Sequence, residues 1–211
     1  LRPPSHKQAT RQLALLRLLS TGGFHSGTDL SRILSCSRAS VWQDIQAWQA
    51  RGFAIFAVKG KGYALPKTRL AQINWLDATQ LSQDLAAYHT PYSVHIEPTL
   101  ASTNSYLLER SYTLTHPSVL ATEWQTEGRG RRGNIWLSLP QDSLTFSVYW
   151  HFNRPLSALG GLSLVVGLAI QRALQALGAT GVQLKWPNDL LLNQAKLGGL
   201  LIETQGDVSQ A

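Results

Sequence analysis

All of the net positive charge of this 211-residue chain lies in its first third, and that partition limits the possible folds more than any other feature. Residues 1–70 carry eleven Lys and Arg against two acids, Asp29 and Asp44, a balance of +9; residues 71–211 carry eight against ten, a balance of −2. Such sorting points to a nucleic-acid-facing module joined to a module of another kind. The length suffices for two modest cores, and 44% hydrophobic content with seven Trp suits globular folding and argues against disorder. We place the modules at 1–66 and 67–211. No Met occurs, even at position 1, and the chain ends in polar residues after an apolar run, so we expect it to lack its natural start and to be cut short at its end.

The basic module reads as three helices and a hairpin. Residues 8–20 place Leu13, Leu16 and Leu19 on one stripe, and Thr21-Gly22-Gly23 ends the helix. A second helix over 27–34 has Ser26 as N-cap with Asp29 three residues on, the spacing of a capping box. After the turn Ser35-Cys36-Ser37, a third helix over 38–50 turns Val41, Ile45 and Trp48 inward. Two short helices joined by such a turn form a helix-turn-helix, whose second helix can enter the major groove. Residues 53–58 and 63–65 then read as strands around Lys59-Gly60-Lys61-Gly62, the wing of a winged helix. Ser37, Arg38, Ser40 and Gln43 are the candidate DNA contacts of the third helix, and Lys59 and Lys61 the candidate phosphate contacts of the wing. Trp42 is expected at the surface, and Cys36 as a small buried residue.

Beyond residue 66 we expect helices at 77–89, 103–109 and 157–177, and strands at 93–97, 119–124, 143–152, 183–186, 190–193 and 197–203. Long strands with few helices between them indicate an α+β mixed sheet. The apolar stretch 156–177 is interrupted by Gly160, Gly161 and Gly167 and contains Gln171 and Arg172, so a buried helix is favoured over a membrane span. A single cysteine excludes an internal disulfide and a cysteine-only metal cluster. No basic segment followed by an apolar run opens the chain, and we expect a cytoplasmic protein without a membrane anchor.

Three segments stand apart from core-forming sequence. Ser102-Thr103-Asn104 precedes a helix, where a plain N-cap is also a sufficient reading. Gly128-Arg129-Gly130-Arg131-Arg132-Gly133 follows a strand; its glycines let backbone approach an anion and its arginines supply fork-shaped donors, although a basic surface loop would look the same. Lys185-Trp186-Pro187-Asn188-Asp189 is turn chemistry between strands, with Lys196 behind it.

Together, in this order and behind a winged helix, these residues resemble the bifunctional biotin protein ligase and biotin operon repressor family. Phe24-His25-Ser26-Gly27, Gly60-Lys61-Gly62-Tyr63 and Gly161-Leu162-Ser163-Leu164 extend the similarity over most of the chain. The resemblance implies a winged helix-turn-helix followed by a mixed-sheet biotin/lipoate-ligase-like catalytic domain. It implies that biotin and ATP form biotinyl-AMP, from which biotin passes to a lysine of the biotin carboxyl carrier protein of acetyl-CoA carboxylase. Ser102, Thr103, Asn104, Gln125, Arg129, Gly130, Arg131 and Lys196 match positions at the biotin, and Arg131, Arg132, Trp136, Asn188 and Asp189 positions at the nucleotide. Lys196, Arg131 and Arg129 are the implied catalytic residues; together with Mg²⁺ they offset the repulsion between a carboxylate and a triphosphate. Asp189 is open to two roles, ordering Mg²⁺ or orienting the incoming lysine, and no residue is assigned as a dedicated metal ligand. In the family the adenylate is also corepressor and favours a homodimer that grips operator DNA.

Two departures stand against the pattern. Trp42-Gln43-Asp44 occupies a stretch that is more basic in the family, and Asp44 is expected to meet phosphates poorly. Family members also continue into a further strand, a second glycine-containing adenylate loop and a small β-barrel. The rival readings are a ligand-sensing regulator with a non-catalytic ligase-like domain, and a lipoate-type ligase.

Overall fold

The computed structural model describes residues 3–88, 92–114 and 117–205. It forms two compact units, one of Leu1–Gly128 with Leu137–Tyr149, the other of Arg129–Trp136 with Trp150–Ala211.

The first unit opens with α1 (His6–Ser20), α2 (Gly27–Ile33) and α3 (Arg38–Ala50). Each begins at a serine: Ser5, Ser26 and Ser37 accept the backbone N–H of Gln8, Asp29 and Ser40 respectively. These bonds satisfy donors that a helix start otherwise leaves unpaired. At α2 the Ser26 hydroxyl also donates to Asp29 Oδ2 at 2.7 Å and holds that carboxyl below its ordinary value. The wing follows as β1 (Phe56–Val58) antiparallel to β2 (Gly62–Ala64). Its base is bonded to the chain before α2, where His25 and Tyr63 exchange two backbone hydrogen bonds of 2.9 Å. Gly62 has φ +107°, and a Cβ there would lie 2.1 Å from the His25 carbonyl oxygen, so this crossing requires glycine.

Asp44 does not face solvent or DNA. It is fully buried on the inner side of α3, where Arg11 donates at 2.6 and 3.1 Å and Gln12 Nε2 at 3.0 Å. The expectation that it would repel phosphates is therefore corrected. Asp44 falls three residues after Val41 and four before Trp48, on the apolar stripe, and its charge is answered by α1. Trp42 lies at the surface as expected, 55% exposed, and Cys36 is half-buried against the core.

After α4 (Lys67–Leu70) and α5 (Ala78–Ala86, capped by Asp77) comes the sheet. Residue 89, included in the expected helix 77–89, lies outside the described residues. Strand β3 (Ser93–Leu100) pairs parallel with β4 (Ser118–Gln125), the crossover carrying α6 (Thr103–Glu109). The chain then runs through two-residue strands β5 (Gly128–Arg129) and β6 (Ile135–Trp136), paired with each other, to β7 (Thr145–Tyr149), antiparallel to β4. β4 is the central strand and is covered on both faces, from Ser118 to Gln125, with Val119 half-buried.

The winged helix and the sheet share one core. Trp124 of β4 joins Leu15, Leu16, Trp48, Phe53 and Ile55 in a single cluster. The Trp48 and Trp124 ring centroids are 4.9 Å apart, and the Arg51 guanidinium lies 5.5 and 5.2 Å from them. The neighbouring Glu123 is buried; it accepts the Leu76 N–H at 2.7 Å and faces the Arg17 guanidinium at 3.7 Å. Desolvation by this burial raises its carboxyl above the ordinary glutamate value, against the opposing pull of the Leu76 N–H and Arg17.

In the second unit, β8 (Val182–Lys185), β9 (Asp189–Leu192) and β10 (Ala195–Gly199) form an antiparallel meander, and the hairpin expected at Pro187-Asn188-Asp189 is present. Helix α7 (Leu162–Ala176) follows a 3-10 turn at Leu156–Leu159 and a break at Gly161, φ +86°. It packs on β8 through Gly167, where a Cβ would meet Leu184 at 3.1 Å. The expectation of a buried helix here is corrected: α7 buries Gly167 and leaves Leu164, Val165 and Leu168 exposed, because its contacts come from one side. By length and composition alone, Leu156–Ala176 is long and apolar enough to cross a membrane.

Removing the buried carboxylate strands the Gln12 amide and Arg11, so Asp44→Ala is expected to cost about 2–3 kcal/mol in a urea titration. A second outcome concerns pH. The folded Glu123 carboxyl keeps its proton to higher pH than the unfolded one, so its contribution to stability falls as pH rises from the ordinary glutamate range through the raised folded value. Thermal melts over that window are expected to show a shallower loss for Glu123→Gln than for the parent.

Candidate functional site

The polar residues of the first unit converge where β3 turns into α6. Ser102, 6% exposed, caps α6 by accepting the Ser105 N–H at 3.3 Å. Thr103 donates its backbone N–H to Gln125 Oε1 at 2.8 Å, and its hydroxyl lies 3.1 Å from the same oxygen. That hydroxyl also meets Ser147 Oγ of β7 at 2.7 Å, and Ser147 donates to Asn104 Oδ1. The Gln125 backbone is clasped by Ser138, which accepts its N–H at 3.1 Å and donates to its carbonyl at 3.2 Å. Ser102, Thr103, Asn104 and Gln125 are thus brought together as the sequence suggested, in a cluster of hydroxyls and amides without a charged member.

Ser147 and Ser138 are additional members that the motifs did not reveal. A signal for Ser147 exists in the strand itself. In Thr145-Phe146-Ser147-Val148-Tyr149 the apolar Phe146 and Val148 are exposed while Thr145 is buried and Ser147 half-buried, the reverse of ordinary alternation. Ser147 finds its polar partners on α6, in Thr103 and Asn104.

The second unit holds the cations. Arg129 pairs with Glu203 at 3.0 Å and Arg131 donates to Asn188 Oδ1 at 3.2 Å. Asn188 is itself locked by donating to the Leu200 carbonyl at 2.8 Å while accepting the Leu200 N–H on its own carbonyl at 2.9 Å. Lys196 Nζ lies 2.7 Å from Asp189 Oδ1 and 5.8 Å from the Trp136 ring centroid. The pair follows from the meander, since Lys196 enters β10 just before a register shift that leaves Gly199 opposite Asp189. A Cβ on Gly199 would come within 3.3 Å of both side chains, so glycine keeps that corner open. Arg132 is exposed in the left-handed conformation, φ +56°, and Gly130 closes the loop by donating to the Asn134 carbonyl at 2.7 Å. Lys196 thus joins Asp189 and Trp136, Arg131 joins the neighbouring Asn188, and Arg129 is held apart from them on Glu203, which puts cations beside an aromatic face.

On the winged helix, Arg38 and Gln43 of α3 and Lys59 and Lys61 of the wing are exposed. Ser37 is engaged as the N-cap of α3, and its hydroxyl lies 2.9 Å from that of Ser40. Several other cations of residues 1–70 serve the fold: Arg11 binds Asp44, Arg17 Glu123, Arg32 Asp29 and Arg69 Asp142, and Arg51 covers two tryptophans.

With these groups in place, the comparison with known proteins is decisive at the family level. Residues 97–211 match the biotin/lipoate A/B protein ligase family and residues 11–64 match an HTH domain. The chain belongs to the biotin/lipoate A/B protein ligase family. It is 40% identical over 205 residues to the bifunctional ligase/repressor BirA of Salmonella typhimurium, covering 97% of this chain and 62% of that protein. It is 28% identical over 207 residues to its counterpart in Bacillus subtilis, covering 95% and 61%. Among solved structures, biotin protein ligase from Leishmania major in complex with biotin is 29% identical over 56% of this chain and 53% of that one, with a TM-score of 0.48. The chain spans about three fifths of the length of the BirA relatives. The ligase-family match contains the polar cluster around Thr103 and the cations Arg129, Arg131 and Lys196, and the HTH match contains α2, α3 and the wing.

Proposed function

We propose that this chain is the DNA-binding and catalytic portion of an ATP-dependent biotin protein ligase that also represses biotin-synthesis genes. The observation that carries the reading is the pairing, within one ligase-family chain, of an uncharged amide and hydroxyl cluster with a separate cationic group. A ureido ring offers a carbonyl acceptor flanked by N–H donors, and Thr103, Asn104 and Gln125 supply the complementary types. The Arg129, Arg131 and Lys196 group suits the carboxylate and the triphosphate.

In the first step a carboxylate oxygen of biotin attacks the α-phosphorus of ATP; the new C–O–P bond forms as the bond to the β-phosphate oxygen breaks and pyrophosphate leaves. Lys196 stabilises the carboxylate and then the acyl phosphate, and Arg131, held by Asn188, supports the charge that develops at phosphorus. Arg129 and Gly130 contribute to the loop over biotin, Arg132 meets phosphate, and Trp136 lies along the adenine. In the second step the amine of the carrier lysine attacks the acyl carbon, AMP departs, and the amine loses its proton.

No group of three His, Cys, Asp or Glu side chains gathers among the described residues; Mg²⁺ would arrive with ATP, and Asp189, which also holds Lys196, would be the carboxylate beside it. When bound it offsets phosphate charge. The biotin carboxyl carrier protein, operator DNA and a homodimer formed on the adenylate are the proposed partners, in the cytoplasm and without a membrane role.

The rival lipoate reading is disfavoured by the Thr103, Asn104 and Gln125 cluster, because a dithiolane ring offers it no hydrogen-bonding partner. Incubating the intact protein with ATP, a carrier domain and either labelled biotin or lipoate tests the reading; transfer of lipoate in preference to biotin, or of neither, overturns it. Lys196→Ala is expected to slow pyrophosphate release by an amount equivalent to about 2–4 kcal/mol of transition-state stabilisation, while the parent rate in this variant would remove Lys196 from the mechanism. For the winged helix, replacing Lys59 and Lys61 by Ala is expected to lower the salt slope of operator binding by about 2, at about 0.9 per phosphate contact. An unchanged slope would place the wing off the DNA.

A further inference from the structure

Helix α3 carries two stripes of the same spacing. Val41, Asp44, Ile45 and Trp48 are buried, whereas Ala39, Trp42, Gln43 and Gln46 are exposed. The second stripe is the first shifted back by two residues, about 200° round the helix, so it points away from the core. Its far end serves the fold: Gln46 donates to Gln49 Oε1 at 2.9 Å, and Gln49 donates to the Ile55 carbonyl at 2.6 Å. Its near end holds Ala39, which adds no bulk, and Trp42, 55% exposed and outside the core cluster. In a helix-turn-helix the N-terminal half of the second helix is the part that meets base edges.

The charge around this stripe favours nucleic acid as its occupant. Residues 1–70 contain two acids, and both are taken up within the unit: Asp29 by Ser26 and Arg32, Asp44 by Arg11 and Gln12. Arg38 at the start of α3 and Lys59 and Lys61 of the wing are exposed. Cations that bind phosphates hold the helix in place and add affinity, but they leave the choice of sequence to side chains that reach the bases.

The chemistry of the indole selects among those bases. It has a broad apolar body, one N–H donor and no acceptor. In the major groove adenine and cytosine present an amino donor, which finds no partner on such a ring, and guanine presents acceptors alone. Thymine presents its O4 acceptor beside the C5 methyl, the one apolar group on the four edges. We propose that Trp42 is a specificity-determining residue that reads a thymine methyl in the operator. This rests on the DNA-binding part of the reading above and adds a base preference to it.

The test uses the intact protein with biotin and ATP at one fixed salt concentration. A duplex is selected from a random pool, and each thymine is then replaced singly by uracil, which lacks only the C5 methyl. For the parent, replacement at one or more positions is expected to weaken binding about fourfold, the size of one buried methyl group. In Trp42→Ala the same replacement is expected to cost nothing further, because the ring that covers the methyl is gone. Trp42→Phe, which keeps an apolar ring, is expected to retain part of the penalty. Both variants are expected to melt with the parent, since Trp42 is outside the core, and to keep its salt slope, since no phosphate contact is lost.

A uracil penalty that persists in Trp42→Ala overturns the proposal. So does a loss of affinity in that variant that is equal on every duplex. A changed sedimentation coefficient of Trp42→Ala without DNA, with the penalty intact, overturns it in favour of a protein contact. A parent that selects a sequence but is indifferent to the methyl overturns this assignment alone. A parent that binds every duplex alike overturns the DNA-binding reading, and the role of Trp42 falls with it.

Discussion

The contact between Trp48 and Trp124 is the constraint on which the rest of the first unit depends. Trp48 closes the inner face of α3, and its indole N–H donates to the Gln12 carbonyl at 2.8 Å. Trp124 comes from the central strand of the sheet, beside the glutamine that anchors Thr103. Arg51, half-buried, spreads over both rings, where desolvation lowers its pKa, and a cation over aromatic faces in such a setting contributes on the order of 1 kcal/mol. One pair of rings thus fixes α3 against the same strand that presents Gln125. The outward-facing helix and the polar cluster around Gln125 are mounted on a common piece of core.

That arrangement changes the meaning of the charge partition. The excess of cations in residues 1–70 pointed to nucleic acid, yet five of those arginines are tied within the unit to Asp44, Glu123, Asp29, Asp142 or the tryptophans. The cations outside these contacts include Arg38, Lys59 and Lys61, which are exposed. Counting charge identified the right module and overstated its reach. Composition records how many cations there are, whereas the acids that claim them lie on other elements.

Much of the fold was legible because its signals are local. Serine caps, the glycine turn of the wing and the Pro187-Asn188-Asp189 hairpin depend on neighbours a few residues apart, and all appear in the structure. The cationic group was legible too, through motifs that a meander brings together. What stayed hidden depends on distant partners. Asp44 reads as an exposed acid until α1 supplies Arg11 and Gln12, and Glu123 reads as a strand residue until Leu76 and Arg17 arrive. Ser147 lacks any motif and is revealed by the inverted alternation of β7, and α7 reads as buried because its sequence is apolar on more sides than the meander covers.

The two sides of α3 answer to different demands. Val41, Asp44, Ile45 and Trp48 are held by α1 and by the sheet, whereas Arg38, Trp42 and Gln43 have no part in that packing. Among descendants of such a chain, the outward residues are free to drift at little structural cost. The inward ones are bound to the history of the sheet, since a change at Trp48 is felt at Trp124 and, one residue on, at Gln125. The exposed face can diverge quickly on a mount that evolves only as fast as the sheet allows.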